Sequence, residues 1–252
     1  MYREPKNFQT IVDAIGLQKG YCALSYLIKI LTINEHINLT SITNYDEASL
    51  LHLEDSLAAL PEMNAAPAGK YCDLGCGGGF PGVILGMATE RETHLVDSRA
   101  KKIKVIMDIL YPPKDDFIVE MTANDSAEIQ NYATFKGFAE RIEDFTAKHR
   151  GEYAVVTARA LSSLPSLLEL ATPLLKKGGV FIALKSQIDA EEEEWGISLL
   201  DTLGLSLESK REFTLSDGET KRAIYAFKKT GKCKIKLPRK VSMAQKHPLT
   251  AK

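Results

Sequence analysis

The sequence has no carboxylate after Glu219. From Thr220 to Lys252 it carries eleven Lys and Arg and no Asp or Glu, so a net charge of −1 hides a strongly acidic body and a basic end. Charge divided this unevenly points to a polyanionic partner. Cysteine pairs are also missing. Cys22, Cys72, Cys76 and Cys233 form no CxxC, and no histidine lies at ligand spacing beside them. That argues against a structural zinc site or a thiol redox motif and leaves reduced thiols used as small core residues. Met1–Tyr21 contains no apolar core of a signal peptide, and no apolar run approaches membrane-spanning length, so a cytoplasmic location is expected. With 252 residues, 44% hydrophobic and 26% charged, the chain suits one α/β domain, or one domain with an appendage.

Helical spacing is clear at Tyr21–Ile33, and a second helix is expected over Glu47–Leu60. Pro61–Gly69 reads as a breaker-rich linker. Strand and helix then alternate: strands at Lys70–Leu74, Thr93–Val96, Tyr132–Lys136, Tyr153–Thr157 and Gly179–Lys185, with helices at Gly82–Thr89, Lys101–Leu110, Leu164–Leu170 and Trp195–Leu203. Leu205–Phe213 and Ala223–Lys228 are expected to pair as a final antiparallel couple. Such alternation predicts a mostly parallel sheet with helices on both faces. Residues 112–131 read as a surface insertion, and the carboxylates Glu191–Glu194 as a solvated helix start favoured by the helix dipole. The expected division is an N-terminal helical segment (1–65), a core (66–230) and a basic tail (231–252).

The stretch "KYCDLGCGGGFPG" (Lys70–Gly82) ends the first strand with an acidic residue and a glycine turn. Glycine lets the backbone turn tightly and approach a ligand closely. The spacing is neither GxGxxG nor a phosphate-binding Walker loop. It is an acidic residue followed by alternate glycines: Asp73, Gly75, Gly77, Gly79. Asp97 ends the second strand and is placed to accept hydrogen bonds from ribose hydroxyls. Asp73 would repel a pyrophosphate and suits a cationic methionyl group. The combination favours S-adenosyl-L-methionine over a nicotinamide dinucleotide.

At this point the chain resembles the RsmG (GidB) family of bacterial 16S ribosomal RNA guanine-N7 methyltransferases. The resemblance rests on "NLTSI", "HLEDSL", "DLGCGGGFPG", "VDSRAKKI", "AERIEDF", "TARALSSL", "GGVFIALK", "KRAIYAFKK" and "LPRKVSMAQKHPL" in family order. It implies a Rossmann-like class I S-adenosylmethionine-dependent methyltransferase fold and small-subunit rRNA, naked or in the 30S particle, as partner; a monomer is the default expectation. It further implies that Gly75, Phe80, Ile142, Glu143 and Arg159 surround the cofactor. Asn38, Arg141, Lys185 and Arg222 match positions placed around the RNA and the catalytic centre. Two departures stand out: a longer stretch before "AERIEDF", and "SMAQKHPL" where the family tends to small residues and lysines.

The absence of a Ser/His/Asp set or of paired carboxylates agrees with methylation at guanine N7, whose lone pair needs no deprotonation. A nicotinamide-dependent oxidoreductase on the same fold class and a non-catalytic RNA-binding assembly protein are the alternatives. Saturable binding of S-adenosylmethionine separates them. The basic tail is expected to meet RNA phosphates, and its composition is compatible with ordering only when RNA is present.

Overall fold

The computed structural model describes residues 3–112 and 129–250. Most of the expected insertion therefore lies outside the described residues. Strands β1 (Tyr71–Leu74), β2 (Thr93–Asp97), β3 (Phe135–Ala139), β4 (Tyr153–Arg159), β5 (Leu175–Lys185), β6 (Leu205–Thr214) and β7 (Lys221–Lys229) form one sheet in the order β3-β2-β1-β4-β5-β7-β6. The first five run parallel, and β7 is antiparallel to both β5 and β6. Consecutive strands step one way from β1 and then the other way from β4, which makes the gap between them the topological switch point.

The central strands are apolar because both faces are covered. Every residue of β1 is buried, as a parallel strand inside an α/β sheet requires. One face carries helices α1 (Phe8–Ile15), α2 (Leu17–Asn34), α4 (Gly82–Thr89) and α5 (Ala100–Leu110), with Leu27, Ile30, Val83, Ile84 and Ile106 fully buried among them. The other carries α6 (Ile142–Lys148) and α7 (Leu164–Ala171), where Phe145, Leu164, Leu167 and Leu168 pack against Val156 and Phe181. Helix α4 lies between the sheet and the N-terminal helices, so it is apolar nearly all round. Its two glycines are needed for closeness: a Cβ on Gly86 would collide with the Thr93 hydroxyl, and one on Gly82 with Leu95 and Asp73.

The expected helix over Glu47–Leu60 is broken. Tyr45–Ala48 is an α turn, Ser49–Glu54 a π-type turn and Asp55–Leu57 an α turn. The expected linker contains helix α3 (Leu60–Ala65) instead, because Pro61 sits in the first turn, where its missing N–H costs nothing. Strand β3 lies three residues beyond its expected start.

The basic end is not loose. Leu237 and Ala244 are buried in the core beneath α7. The Arg239 guanidinium donates to both oxygens of Glu169, at 2.7 and 2.6 Å, and Glu169 is almost wholly buried. The Ser166 hydroxyl donates to the Ala244 carbonyl (2.7 Å), and the Trp195 indole N–H to the Leu249 carbonyl (2.6 Å). Residues 231–250 therefore form a strap along one face, and the expectation that this segment waits for RNA to order is corrected. Its charge is partly cancelled in space as well. Arg222, Lys228, Lys234 and Arg239 pair with Asp55, Glu208, Asp201 and Glu169.

Removing one partner of a buried ion pair leaves an uncompensated charge and costs about 3–5 kcal/mol. Arg239→Ala should lower unfolding stability by roughly that amount, and adding Glu169→Gln should restore much of it. Urea titration of the two variants measures both effects.

Candidate active site

The glycine turn leaves β1 at the switch point and enters α4. The carboxylate of Asp73, fully buried, fastens it. One oxygen accepts the Gly82 N–H at 2.9 Å, and the other accepts the Thr157 hydroxyl at 2.7 Å from the neighbouring strand β4. The Thr157 hydroxyl in turn lies 2.7 Å from the Tyr71 hydroxyl. Burial raises the Asp73 carboxyl to about 7, against the opposing pull of Thr157, Gly82 and Arg159. Both oxygens point into the protein, so Asp73 acts on a ligand through the loop that it holds. Direct contact with a cationic methionyl group, as the sequence suggested, is not its geometry.

The glycines of the turn have different duties. A Cβ on Gly79 would strike the Tyr26 hydroxyl, and one on Gly75 would lie 2.7 Å from a Leu161 methyl. At Gly77 the space is open, with only the Gly75 carbonyl at 3.9 Å, and φ is +56°. Gly77 is thus where bare backbone faces room for a ligand. Its N–H donates to one Asp97 oxygen at 3.2 Å, and the other accepts the Arg99 N–H at 2.8 Å. From behind, the Tyr26 hydroxyl donates to the Gly78 carbonyl at 2.9 Å, so α2 backs the turn.

Gly75, Asp97, Ser98, Arg141, Ile142, Glu143 and Leu161 line one pocket, together with Ser242 and Gln245 from the strap. A half-exposed carboxylate, Asp97, and the apolar Ile142 share this lining, so the pocket offers hydrogen-bond acceptors beside an apolar wall. The cavity is only about 80 Å³, whereas small-molecule sites commonly exceed about 300 Å³. Leu161, packed onto Gly75, narrows it. It follows Ala160, a non-glycine residue held at φ +50° just past the end of β4, where backbone strain is often found at functional sites.

A second pocket of about 280 Å³ opens on the other side of the same loop. His52, Asp55, Arg159, Ala160, Lys185 and Arg222 line it. Asp55, nearly buried, accepts Arg159 NH1 on one oxygen (3.1 Å) and Arg222 Nε on the other (3.0 Å). Arg159 also donates to the Leu51 carbonyl at 2.8 Å. Lys185 is held by Glu192 at 2.8 Å and by the Ser162 carbonyl at 3.0 Å, so the solvated carboxylate run supplies a site contact. His52 stacks on Phe80, with centroids 4.6 Å apart, and its Nε2 lies 2.9 Å from the Thr40 hydroxyl. Burial and the nearby Arg159 depress its imidazole to about 3, so the ring is neutral.

The expected site residues are therefore regrouped. Arg141, expected near the RNA, stands with Asp97, Ile142 and Glu143. Arg159, expected at the cofactor, stands with Lys185 and Arg222. Phe80 is enclosed between His52 and Tyr26 rather than lining either pocket. Asn38 is exposed on the loop after α2. The loop is organised by Asn34, whose carboxamide oxygen accepts the N–H groups of Leu39 and Thr40 at 2.7 and 2.9 Å. Sequence reasoning gave no role to Thr40, His52, Asp55, Ser242 or Gln245. The "HLEDSL" block was the available signal for two of them. Among the described residues there is no cluster able to hold a metal ion and no helix long and apolar enough to cross a membrane.

The strand order, the single antiparallel strand β7, the glycine turn after β1 and the carboxylate ending β2 together define a class I S-adenosylmethionine-dependent methyltransferase fold. The profile of the family described as rRNA small subunit methyltransferase G matches residues 22–225. The chain belongs to that family. It is similar to ribosomal RNA small subunit methyltransferase G of Bacillus licheniformis, 35% identical over 86% of this chain and 84% of that one. The Listeria monocytogenes protein of the same name is 30% identical over 97% and 99%. Of solved structures, the antibiotic-resistance methyltransferase Kmr aligns over 68% of this chain and 92% of its own, at 16% identity and a TM-score of 0.46, from which nothing further follows.

Because the Asp73 carboxyl is raised to about 7, the folded chain holds a proton there that the unfolded chain releases. That contribution to stability is complete below the ordinary carboxylate range and disappears as pH rises through about 7. The depressed His52 works in the opposite sense, contributing above the ordinary histidine range and losing its contribution as pH falls. Asp73→Asn isolates the first effect. Urea unfolding should show wild type losing ground to the variant as pH rises from about 4 to about 8.

Proposed function

We propose that the chain transfers the methyl group of S-adenosyl-L-methionine to N7 of a guanine in 16S ribosomal RNA, acting in the cytoplasm as a monomer. The observation that carries this reading is the meeting of two pockets at one loop, Ala160–Leu161, in a chain of this family. One pocket has the groups for an adenosyl ligand, and the other has three cations and a carboxylate. Family membership also favours this reading over a nicotinamide-dependent oxidoreductase or a non-catalytic assembly protein.

When bound, the cofactor supplies an electrophilic methyl group on a sulfonium. The chain's own task is alignment and exclusion of water. Asp97 takes the ribose hydroxyls, and Gly77 gives the backbone room to approach. Guanine N7 already offers its lone pair, so no residue has to remove a proton. The neutral His52 fits this, since it serves as a stacking wall rather than as an acid or base. Lys185 and Arg222, at facing ends of β5 and β7, suit a nucleotide phosphate. Arg159 is fixed beneath them by Asp55. Methylation leaves a positive charge on the purine ring, and the three cations lining the pocket then favour product release.

Incubation with labelled S-adenosylmethionine and unmethylated 30S particles should place one methyl group on one guanine. Borohydride and aniline treatment should then cut the RNA there, the signature of N7. Label on another atom of the base, or none at all, would overturn the reading. Asp97→Ala should weaken cofactor binding by about 1–3 kcal/mol in calorimetry, the scale of hydrogen bonds to a charged group.

A further inference from the structure

The strap does more than cover the core. After Arg239 it turns through Ser242, held in the left-handed region at φ +66°, and enters α8 (Met243–Lys246). The Ser242 N–H donates to Glu143 Oε1 at 2.6 Å. Glu143 lies at the start of α6 and lines the Asp97 pocket. The contact therefore brings two strap side chains, Ser242 and Gln245, to the wall of that pocket. Anchors on both sides fix the turn: Arg239 on Glu169 before it, and the Ala244 carbonyl on Ser166 within α8.

Adenine presents a donor, its 6-amino group, beside a ring-nitrogen acceptor. A carboxamide presents an acceptor beside a donor, which is why Asn and Gln pair with adenine edges. Of the described residues lining this pocket, Gln245 is the only carboxamide. Asp97 and Glu143 are carboxylates, which offer acceptors and no donor for a ring nitrogen, Glu143 Oε1 already accepting the Ser242 N–H, and Ser98 and Ser242 offer single hydroxyls. Gln245 is itself solvent-exposed, and no intramolecular hydrogen bond holds its side chain among the described residues. It is free to meet a ligand, and the fold does not rest on it.

From this geometry we infer that Gln245 is a cofactor-binding and specificity-determining residue that reads the adenine edge, and that the C-terminal strap is a wall of the adenosyl pocket. This inference rests on the cofactor reading given above. It assigns the strap to the cofactor, where the charge pattern alone assigned it to RNA.

The test is calorimetric binding of S-adenosyl-L-homocysteine, and of its analogue with hydrogen in place of the 6-amino group, to wild type and Gln245→Ala. Wild type should prefer the adenine form by about tenfold, the value of one good hydrogen-bond pair. In Gln245→Ala the adenine form should bind about tenfold more weakly and the preference should vanish, with the melting temperature unchanged. Unchanged affinity in the variant overturns the inference. So does weakened binding with the preference intact, which would mean that Gln245 acts elsewhere on the ligand. A wild type that fails to bind S-adenosyl-L-homocysteine would instead overturn the cofactor reading itself, and the inference with it.

Discussion

The site depends on one buried carboxylate. Asp73 ties the end of β1 to the start of α4 through Gly82 and to β4 through Thr157. The strands on either side of the switch point are thereby locked in register just where the glycine turn leaves the sheet. Burying a carboxyl group costs free energy, and it persists because each oxygen has a good donor. Tyr26 from the N-terminal helices and Asp97 from β2 then hold the turn from two other directions. Gly77 is left as the one open stretch of backbone. The rigidity is local, and it is what a ligand aligned for direct displacement requires.

The loop after β4 divides the active site. Arg159, the last residue of β4, lines the cationic pocket, and Leu161 two residues later lines the Asp97 pocket, with the strained Ala160 between them. A displacement of Leu161 on cofactor entry would be felt at Arg159 through two peptide units. Asp55 opposes that motion by holding Arg159 and Arg222 together across the pocket. Arg159, Lys185 and Arg222 are each paired with a carboxylate or a carbonyl, so the pocket offers fixed donors rather than mobile charge.

The parallel sheet was legible because apolar runs and turn residues alternate at regular lengths. The glycine turn was legible because four glycines after an acidic residue have few other uses. Boundaries failed where local chemistry was ambiguous. Pro61 reads as a breaker but starts a helix, and α1 lies in the stretch Met1–Tyr21, which was read only for a signal peptide. The division of site residues was not legible at all. Arg141 follows β3 and Arg159 ends β4, so both lie at the carboxyl edge of the sheet, but the pattern along the chain does not say which side of the crevice each faces. The order of the strap was not legible for a related reason. Two of its cations, Arg239 and Lys234, pair with Glu169 and Asp201, and Arg222 with Asp55, far away along the chain. Charge counting along a sequence cannot see pairs made in space.

The central claim is that two pockets, one for the methyl donor and one for the nucleotide, meet at the Ala160–Leu161 loop and are otherwise separate. Arg222→Ala tests it most directly, because Arg222 lines only the cationic pocket and Asp55 keeps Arg159 as a partner. The measurement is S-adenosyl-L-homocysteine affinity set beside the single-turnover rate of methyl transfer to 30S particles at saturating cofactor. The account predicts unchanged affinity and a rate reduced at least about tenfold, the effect of about 1.4 kcal/mol of lost transition-state stabilisation. Weakened cofactor binding with an unchanged rate would contradict it.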